Sequence, residues 1–370
     1  MKYRRMPIEI ESPEQLGYGN IKYNLTESSV SDMTSSALGA ELGNLLLCYT
    51  DHVGKPELRE LIAGEGKGLA AGDVIVTPGA AAALFIIATS LLSPGDRIVV
   101  ARPNYATNIE TPRAIGCDTV FLDLEFENGF RVDIERLKEL VAPGTKLVSL
   151  TCPHNPTGAM MTRGELEEVV SIVESRGCLL LFDETYREMA YGGALPPAAS
   201  ISPNVVSVAS LSKSYGLPGI RMGWAITKDK DLQELFLAAK EQIFICNSVI
   251  DEEFAFRALS DKASILPRIF ENNLKAFNVV KNWMAGQDVL EWVEPLGGVV
   301  CFPRIKESAG INIDQFYKTL NGKYSTHVGP GHWFEMPKSY MRIGYGWPSH
   351  ADLASGLECI SKALSESAGK

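Results

Sequence analysis

Between about residue 70 and residue 227 the chain alternates short apolar, β-branched runs with stretches of helical periodicity. That alternation restricts the fold more than any other feature. The runs fall at residues 74–77, 97–101, 119–122, 146–151, 178–183, 205–209 and 222–227, and helical patterns at 80–91, 134–141 and 163–174 lie between several of them. Strands that alternate with helices predict an α/β domain built on a mostly parallel, seven-stranded sheet flanked by helices. Several of the runs are almost wholly apolar, as strands covered on both faces must be.

Beyond residue 230 the pattern changes. Helical stretches at 230–240, 251–259 and 266–283 precede a segment, 289–345, that reads as strand, Gly-Gly turn, strand, helix 314–320 and two further strands. This predicts a second, smaller α+β domain. The first 40 residues show little regular pattern and are assigned to it as an N-terminal arm that crosses between the two. The expected division is a large domain over 41–255 and a small domain made of 1–40 and 256–370. A chain of 370 residues is long enough for two cores.

A formal net charge of −10 with no block of Lys and Arg argues against nucleic acid or an anionic membrane as partner. Seven Cys are scattered without CxxC spacing and read as reduced core thiols, and neither they nor the five His show metal-ligand spacing, so no metal is expected. The most apolar stretch, 79–92, spans about 14 residues, short of the ~20 a membrane helix needs. Residues 1–13 lack the apolar core of a signal peptide. A cytoplasmic protein is expected.

Four segments carry chemistry. In Ser210-Leu-Ser-Lys213-Ser-Tyr-Gly-Leu-Pro-Gly-Ile-Arg221 a lysine follows an apolar strand, where sheets of this kind place ligands, outside the strands' carboxyl ends. Ser210 and Arg221 offer a hydroxyl and a guanidinium fork suited to phosphate. Taken alone, Lys213 would read as a solvated loop lysine, and it is these neighbours that point to a site. Asp183 ends five apolar residues, 178–182; buried without a partner it would be costly, so it is paired, at a site, or the cap of a following helix. Pro153-His-Asn155-Pro156-Thr-Gly158 is turn chemistry at another strand end. In Thr77-Pro-Gly79-Ala80-Ala81 a helix opens straight after a strand, which makes either an anion site of bare N–H groups or a close helix–sheet contact.

Taken in order, these segments resemble the fold type I pyridoxal-phosphate enzymes, specifically the class I/II aminotransferases, and the resemblance runs from about Tyr49 to Gly346. It implies pyridoxal 5'-phosphate as cofactor and an amino acid and a 2-oxo acid as substrates. It makes Lys213, Asp183 and Tyr186 catalytic: Lys213 forms the Schiff base and shuttles the proton, and Asp183 faces the pyridine nitrogen. Tyr186 and Asn155 would bond the ring hydroxyl, and Tyr105 would stack on the ring. The phosphate would rest on the N–H groups of Gly79, Ala80 and Ala81, with Ser210 and Arg221 completing the cup. Tyr49 matches a tyrosine that reaches the phosphate of a second chain, which implies a homodimer with shared sites. Arg342, in Tyr340-Met-Arg342-Ile-Gly-Tyr, would clamp the substrate α-carboxylate, with Asn155 and Ser28 beside it.

One stretch departs from the family. Where many relatives have a Gly-Glu-Pro-like turn, this chain has Asn24-Leu-Thr-Glu27-Ser28-Ser-Val-Ser-Asp32, with Ser28 in place of the Gly. Glu27 or Asp32 would meet a cationic or polar substrate group, or else belong to a solvated arm. No second Arg for a side-chain carboxylate is found. The Ser-rich stretch and the Gly-Leu-Pro-Gly-Ile-Arg motif also resemble a subgroup that includes capreomycidine synthase, which implies elimination and ring closure as the alternative chemistry. A ligand-sensing aminotransferase-like domain of a transcription regulator is the non-enzymatic alternative; such proteins carry an N-terminal helix-turn-helix domain, for which no room is expected here.

Overall fold

A computed structural model describes residues 1–40 and 42–368. The first strand, β1 (Tyr23–Leu25), belongs to a small sheet. The next seven are β2 (Val74–Thr77), β3 (Arg97–Arg102), β4 (Asp118–Asp123), β5 (Thr145–Thr151), β6 (Leu179–Asp183), β7 (Val205–Ser210) and β8 (Gly223–Ile226). They form one sheet in the order β2-β8-β7-β6-β5-β3-β4. β8 runs antiparallel to both of its neighbours, and the other pairs are parallel. Each apolar run singled out in the sequence is one of these strands.

Side chains on a strand alternate between faces, and here both faces are buried. On β6, Leu180 and Phe182 join one core with Val148 and Val169, while Leu181 joins a second core with Ile86 and Val208. Helices Ala80–Leu91, Ala106–Ile115, Ile134–Leu140 and Arg163–Arg176 connect the parallel strands. Helix Arg163–Arg176 shows how local the control is. The Thr162 hydroxyl accepts from the Glu165 N–H, Glu165 reaches back to the Thr162 N–H, and Gly177 ends the helix at φ 63°.

The small sheet joins β1, β10 (Val300–Cys301), β12 (Thr326–Pro330) and β13 (Met341–Gly344) in the order β1-β12-β13-β10; β9 (Leu290–Glu291) and β11 (Arg304–Ile305) make a separate pair. Its core includes Leu25, Phe316, Met341 and Leu357. Helices Pro56–Ala63 and Ala106–Ile115 were not foreseen, and neither were two elements at the small sheet. β1 is three residues long, too short for periodicity, and is held by parallel pairing with β12. Helix His350–Glu366 covers the small sheet's core through Leu353, Leu357 and Ile360. The cysteines also differ from a uniform set of core thiols: Cys152, Cys178 and Cys301 are buried, whereas Cys48 is exposed. Among the described residues no helix is long and apolar enough to cross a membrane.

Candidate active site

The carboxyl ends of β5, β6 and β7 bring Thr151, Asp183 and Ser210 to one rim, with Thr151 paired to Asp183 in register. A cavity of about 440 Å³ opens there. Lys213, on the loop after β7, lines it together with Asp183, Tyr186, Asn155, Tyr105, Ser210, Arg221, Ala80, Ala81, Arg342 and Ser28. Residues far apart in the chain thus converge on one space.

The Lys213 amine donates to the Ser28 hydroxyl at 3.0 Å. Desolvation, then the nearby Arg342 cation, lowers its pKa from the ordinary lysine value, against the opposing pull of Glu27 and Glu14. Asp183 is buried, and its Oδ1 accepts from the Thr185 N–H (3.0 Å) and hydroxyl (2.6 Å). Burial raises its pKa in spite of those donors. A buried carboxylate in that state is suited to a cationic N–H in the cavity.

The Tyr186 hydroxyl, expected to face a ring hydroxyl, donates to the Ser28 carbonyl at 2.8 Å, and burial pushes its pKa up to about 12. Arg342, on β13, is buried. Its Nη1 donates to Asn155 Oδ1 (3.0 Å) and its Nη2 to the Thr26 carbonyl (2.7 Å), while Nε has no partner. An unpartnered donor on a buried guanidinium is a seat for an anion.

At the other end of the cavity Ala80 and Ala81 open the helix that follows β2. The Gly79 N–H was expected to share in this anion site, but it donates to the Thr77 carbonyl at 2.7 Å. Gly79 serves differently: at φ 81° it has no Cβ, and one placed there would lie 2.7 Å from Arg221 Nη2. Gly223 plays the same part behind the helix start, where a Cβ would lie 2.6 Å from the Ala80 nitrogen. Arg221 itself is held at φ 45°, with its Nη1 donating to the Pro218 carbonyl. Left-handed backbone at a non-glycine residue is uncommon and concentrates at functional sites.

Tyr49 does not line the cavity and is 81% exposed in this chain. Glu27 and Asp32 both line it, so the segment 24–32 is part of the site and not a solvated arm. That segment is pinned by three backbone bonds, Val30 N–H to Lys213 O, Ser31 N–H to Gly346 O and Met33 N–H to Gly216 O. Sequence reasoning missed Glu9, Glu14, Tyr18, Ser212, Trp333 and Trp347, which also line the cavity. Ser212 lies beside Lys213 and was legible from adjacency; the others reach the cavity only through the fold.

A lysine amine of lowered basicity, a buried carboxylate, a helix start flanked by serines and an arginine, and a second, buried arginine make a set with one clear use. It fits a phosphorylated aromatic aldehyde with a ring nitrogen, next to the carboxylate of a small substrate.

The sequence matches the family described as aminotransferase class I and II over residues 14–360. It is 29% identical to capreomycidine synthase of Streptomyces vinaceus over 347 residues, 92% of this chain and 87% of that protein. A PLP-dependent aminotransferase from Streptococcus suis superposes with a TM-score of 0.92 at 27% identity, covering 100% of each chain. The PLP-dependent cyclase OrfR superposes with a TM-score of 0.88 at 27% identity, covering 99% of this chain and 98% of that one.

Proposed function

Because the chain belongs to the class I and II aminotransferases and is a pyridoxal-phosphate enzyme of fold type I, we propose that it moves an α-amino group from an amino acid to a 2-oxo acid. The observation that carries this reading is the meeting of the Lys213 amine, the Asp183 carboxylate and the Arg342 guanidinium in one cavity. When bound, the cofactor supplies an electron sink for the charge left when the substrate α-carbon loses its proton.

The rest is done by the chain. Lys213 Nζ would hold the cofactor and, with that bond given up to the incoming substrate amine, would take and return the substrate α-proton. Its lowered pKa keeps more of it neutral near physiological pH than an ordinary lysine would be. The Asp183 carboxylate holds the proton on the ring nitrogen. Arg342 grips the substrate α-carboxylate, freeing its Nε from isolation. Tyr105 would stack on the cofactor ring, and Asn155 and Tyr186 would lie at its hydroxyl. Ala80, Ala81, Ser210 and Arg221 would hold the phosphate, with Gly79 making room for Arg221. Tyr49 completes the cup of a second copy, so the active form is a homodimer. The division into 41–255 and 1–40 with 256–370 stands as part of the same proposal.

A second reading, elimination with ring closure, is favoured by one feature: the Ser28 hydroxyl, 3.0 Å from the Lys213 amine, puts an extra proton carrier beside the base. The test is spectroscopic. Holoenzyme mixed with a donor amino acid should lose its visible cofactor absorbance, and a 2-oxo acid should restore it. Consumption of the amino acid with no need for a 2-oxo acid would overturn transamination in favour of the second reading. Lys213→Ala should remove the covalent absorbance while the far-UV spectrum persists. Asp183→Asn should keep the absorbance and slow α-proton removal roughly a hundredfold, measured as loss of deuterium from the α-position.

A further inference from the structure

Eight charged side chains line the cavity: the cations Lys213, Arg221 and Arg342 and the carboxylates Asp183, Glu9, Glu14, Glu27 and Asp32. In the reading above all three cations are engaged, by cofactor aldehyde, phosphate and substrate carboxylate, and Asp183 faces the ring nitrogen. Four carboxylates then remain, with no cation among the described lining residues to face them. We infer that the amino acid taken by this site carries a cationic side chain, a guanidinium or an ammonium, whose charge is received at Glu27 with Asp32 and Glu14 beside it. The inference rests on the proposed role of Arg342 as the carboxylate seat.

The loop that carries Glu27 lies directly against that seat. Arg342 Nη2 bonds the carbonyl of Thr26, the residue before Glu27. Two positions after Arg342, a Cβ on Gly344 would collide with the Glu27 carbonyl oxygen, so the glycine lets the Glu27 loop lie directly on β13. Glu27 is only partly buried, and its Oε1 takes the Tyr18 hydroxyl (3.0 Å) and the Asn24 amide (3.4 Å); no hydrogen bond reaches Oε2 among the described residues. Asp32 accepts from the Trp347 indole N–H at 2.9 Å. Trp347 stacks on Tyr18 at 6.3 Å between ring centroids. Charge from Glu27, Glu14 and Asp32 all reaches the Tyr18 phenol and helps, after burial, to raise its pKa.

Two aromatic faces edged by carboxylates make a receptor for a flat or compact cation. The same carboxylates would repel the second carboxylate of aspartate or glutamate. A neutral side chain would leave the acids facing solvent and gain nothing from them. Arg342, 3% exposed with an unpartnered Nε, fixes the anionic end of the ligand independently of the acids. The cavity thus offers a buried cation for the carboxylate and spare acids for a distal charge, as a zwitterion with a cationic side chain requires.

The test compares isosteres on the holoenzyme. L-Arginine and its neutral isostere L-citrulline, L-lysine and neutral L-norleucine, and L-glutamate are ranked by kcat/KM. The arginine and lysine arms separate a guanidinium from an ammonium. Unreactive deamino-arginine and deamino-citrulline are compared by calorimetry. The cationic member of at least one pair should be favoured roughly tenfold to a hundredfold, with L-glutamate the poorest. Glu27→Gln should bring that ratio close to one in both kinetics and binding, and Asp32→Asn should lower it partway. Glu139→Gln, an exposed acid outside the cavity, should keep it. Equal or better use of L-citrulline, L-norleucine or L-glutamate, or a ratio that survives Glu27→Gln, would overturn the inference. If no amino acid changes the cofactor absorbance, transamination fails by itself, and the deamino pair still decides the cation preference.

Discussion

His154 sits in the turn after β5, with Nδ1 2.8 Å from the Thr157 hydroxyl and Nε2 buried without a partner. Burial pulls its pKa from 6.5 down to about 4. Between those values the unfolded chain binds a proton that the folded chain does not, so stability falls as pH drops through this window. The loss should be on the order of 3 kcal/mol in urea melts run between neutral and acid pH. His154→Gln should flatten that dependence, and an unchanged slope would remove His154 as its source. Asp183 and Lys213 were readable because one ends an apolar strand and the other lies on the loop just past one, which fixes where the side chains emerge. The partner of Tyr186 was not readable, because the Ser28 carbonyl comes from a segment 158 residues away in the chain.

Glycines at the elements' contacts carry information that strand and helix patterns do not. Gly344 in β13 and Gly216 in the Lys213 loop both face backbone of the segment 24–32, with no space for a Cβ. Gly344→Ala should therefore lower stability by about 1–3 kcal/mol and shift the loop that holds Glu27 and Ser28. Gly164, in helix Arg163–Arg176, has nothing within 4 Å of its would-be Cβ and no positive φ. Gly164→Ala should stabilise by about 0.5 kcal/mol. Denaturation midpoints of the two variants should move in opposite directions; parallel shifts would show that contact at position 344 does not matter. The helix itself was legible, since Thr162 and Glu165 form a capping box in sequence. The glycine contacts were not, because they join residues hundreds of positions apart.

At the scale of the whole molecule, one segment is left unsatisfied by a single chain. Leu46, Leu47 and Tyr49 are 75%, 70% and 81% exposed, and Ile243, Phe244 and Ile245 form a second exposed run. Exposed apolar residues concentrated in this way mark an interaction surface. The proposed homodimer gives them a partner and delivers the Tyr49 hydroxyl to the other chain's phosphate site. Leu47→Glu should shift sedimentation from dimer to monomer. Tyr49→Phe should leave the dimer intact and weaken cofactor binding about tenfold. A wild-type chain that sediments as a monomer would exclude shared sites.

The sequence by itself determined the seven strands of the large sheet, three of the helices between them (80–91, 134–141 and 163–174) and the loop that presents Lys213. These rest on short-range periodicity and turn chemistry, which neighbouring residues specify together. Tertiary structure alone decided that β1 pairs with β12 roughly 300 residues later, that Arg342 meets Thr26 and Asn155, and that four spare carboxylates line one cavity. Those contacts depend on how distant segments return to one another. A chain's local pattern of apolar and polar residues says where it can bury itself, and only the packed fold says which charges end up face to face.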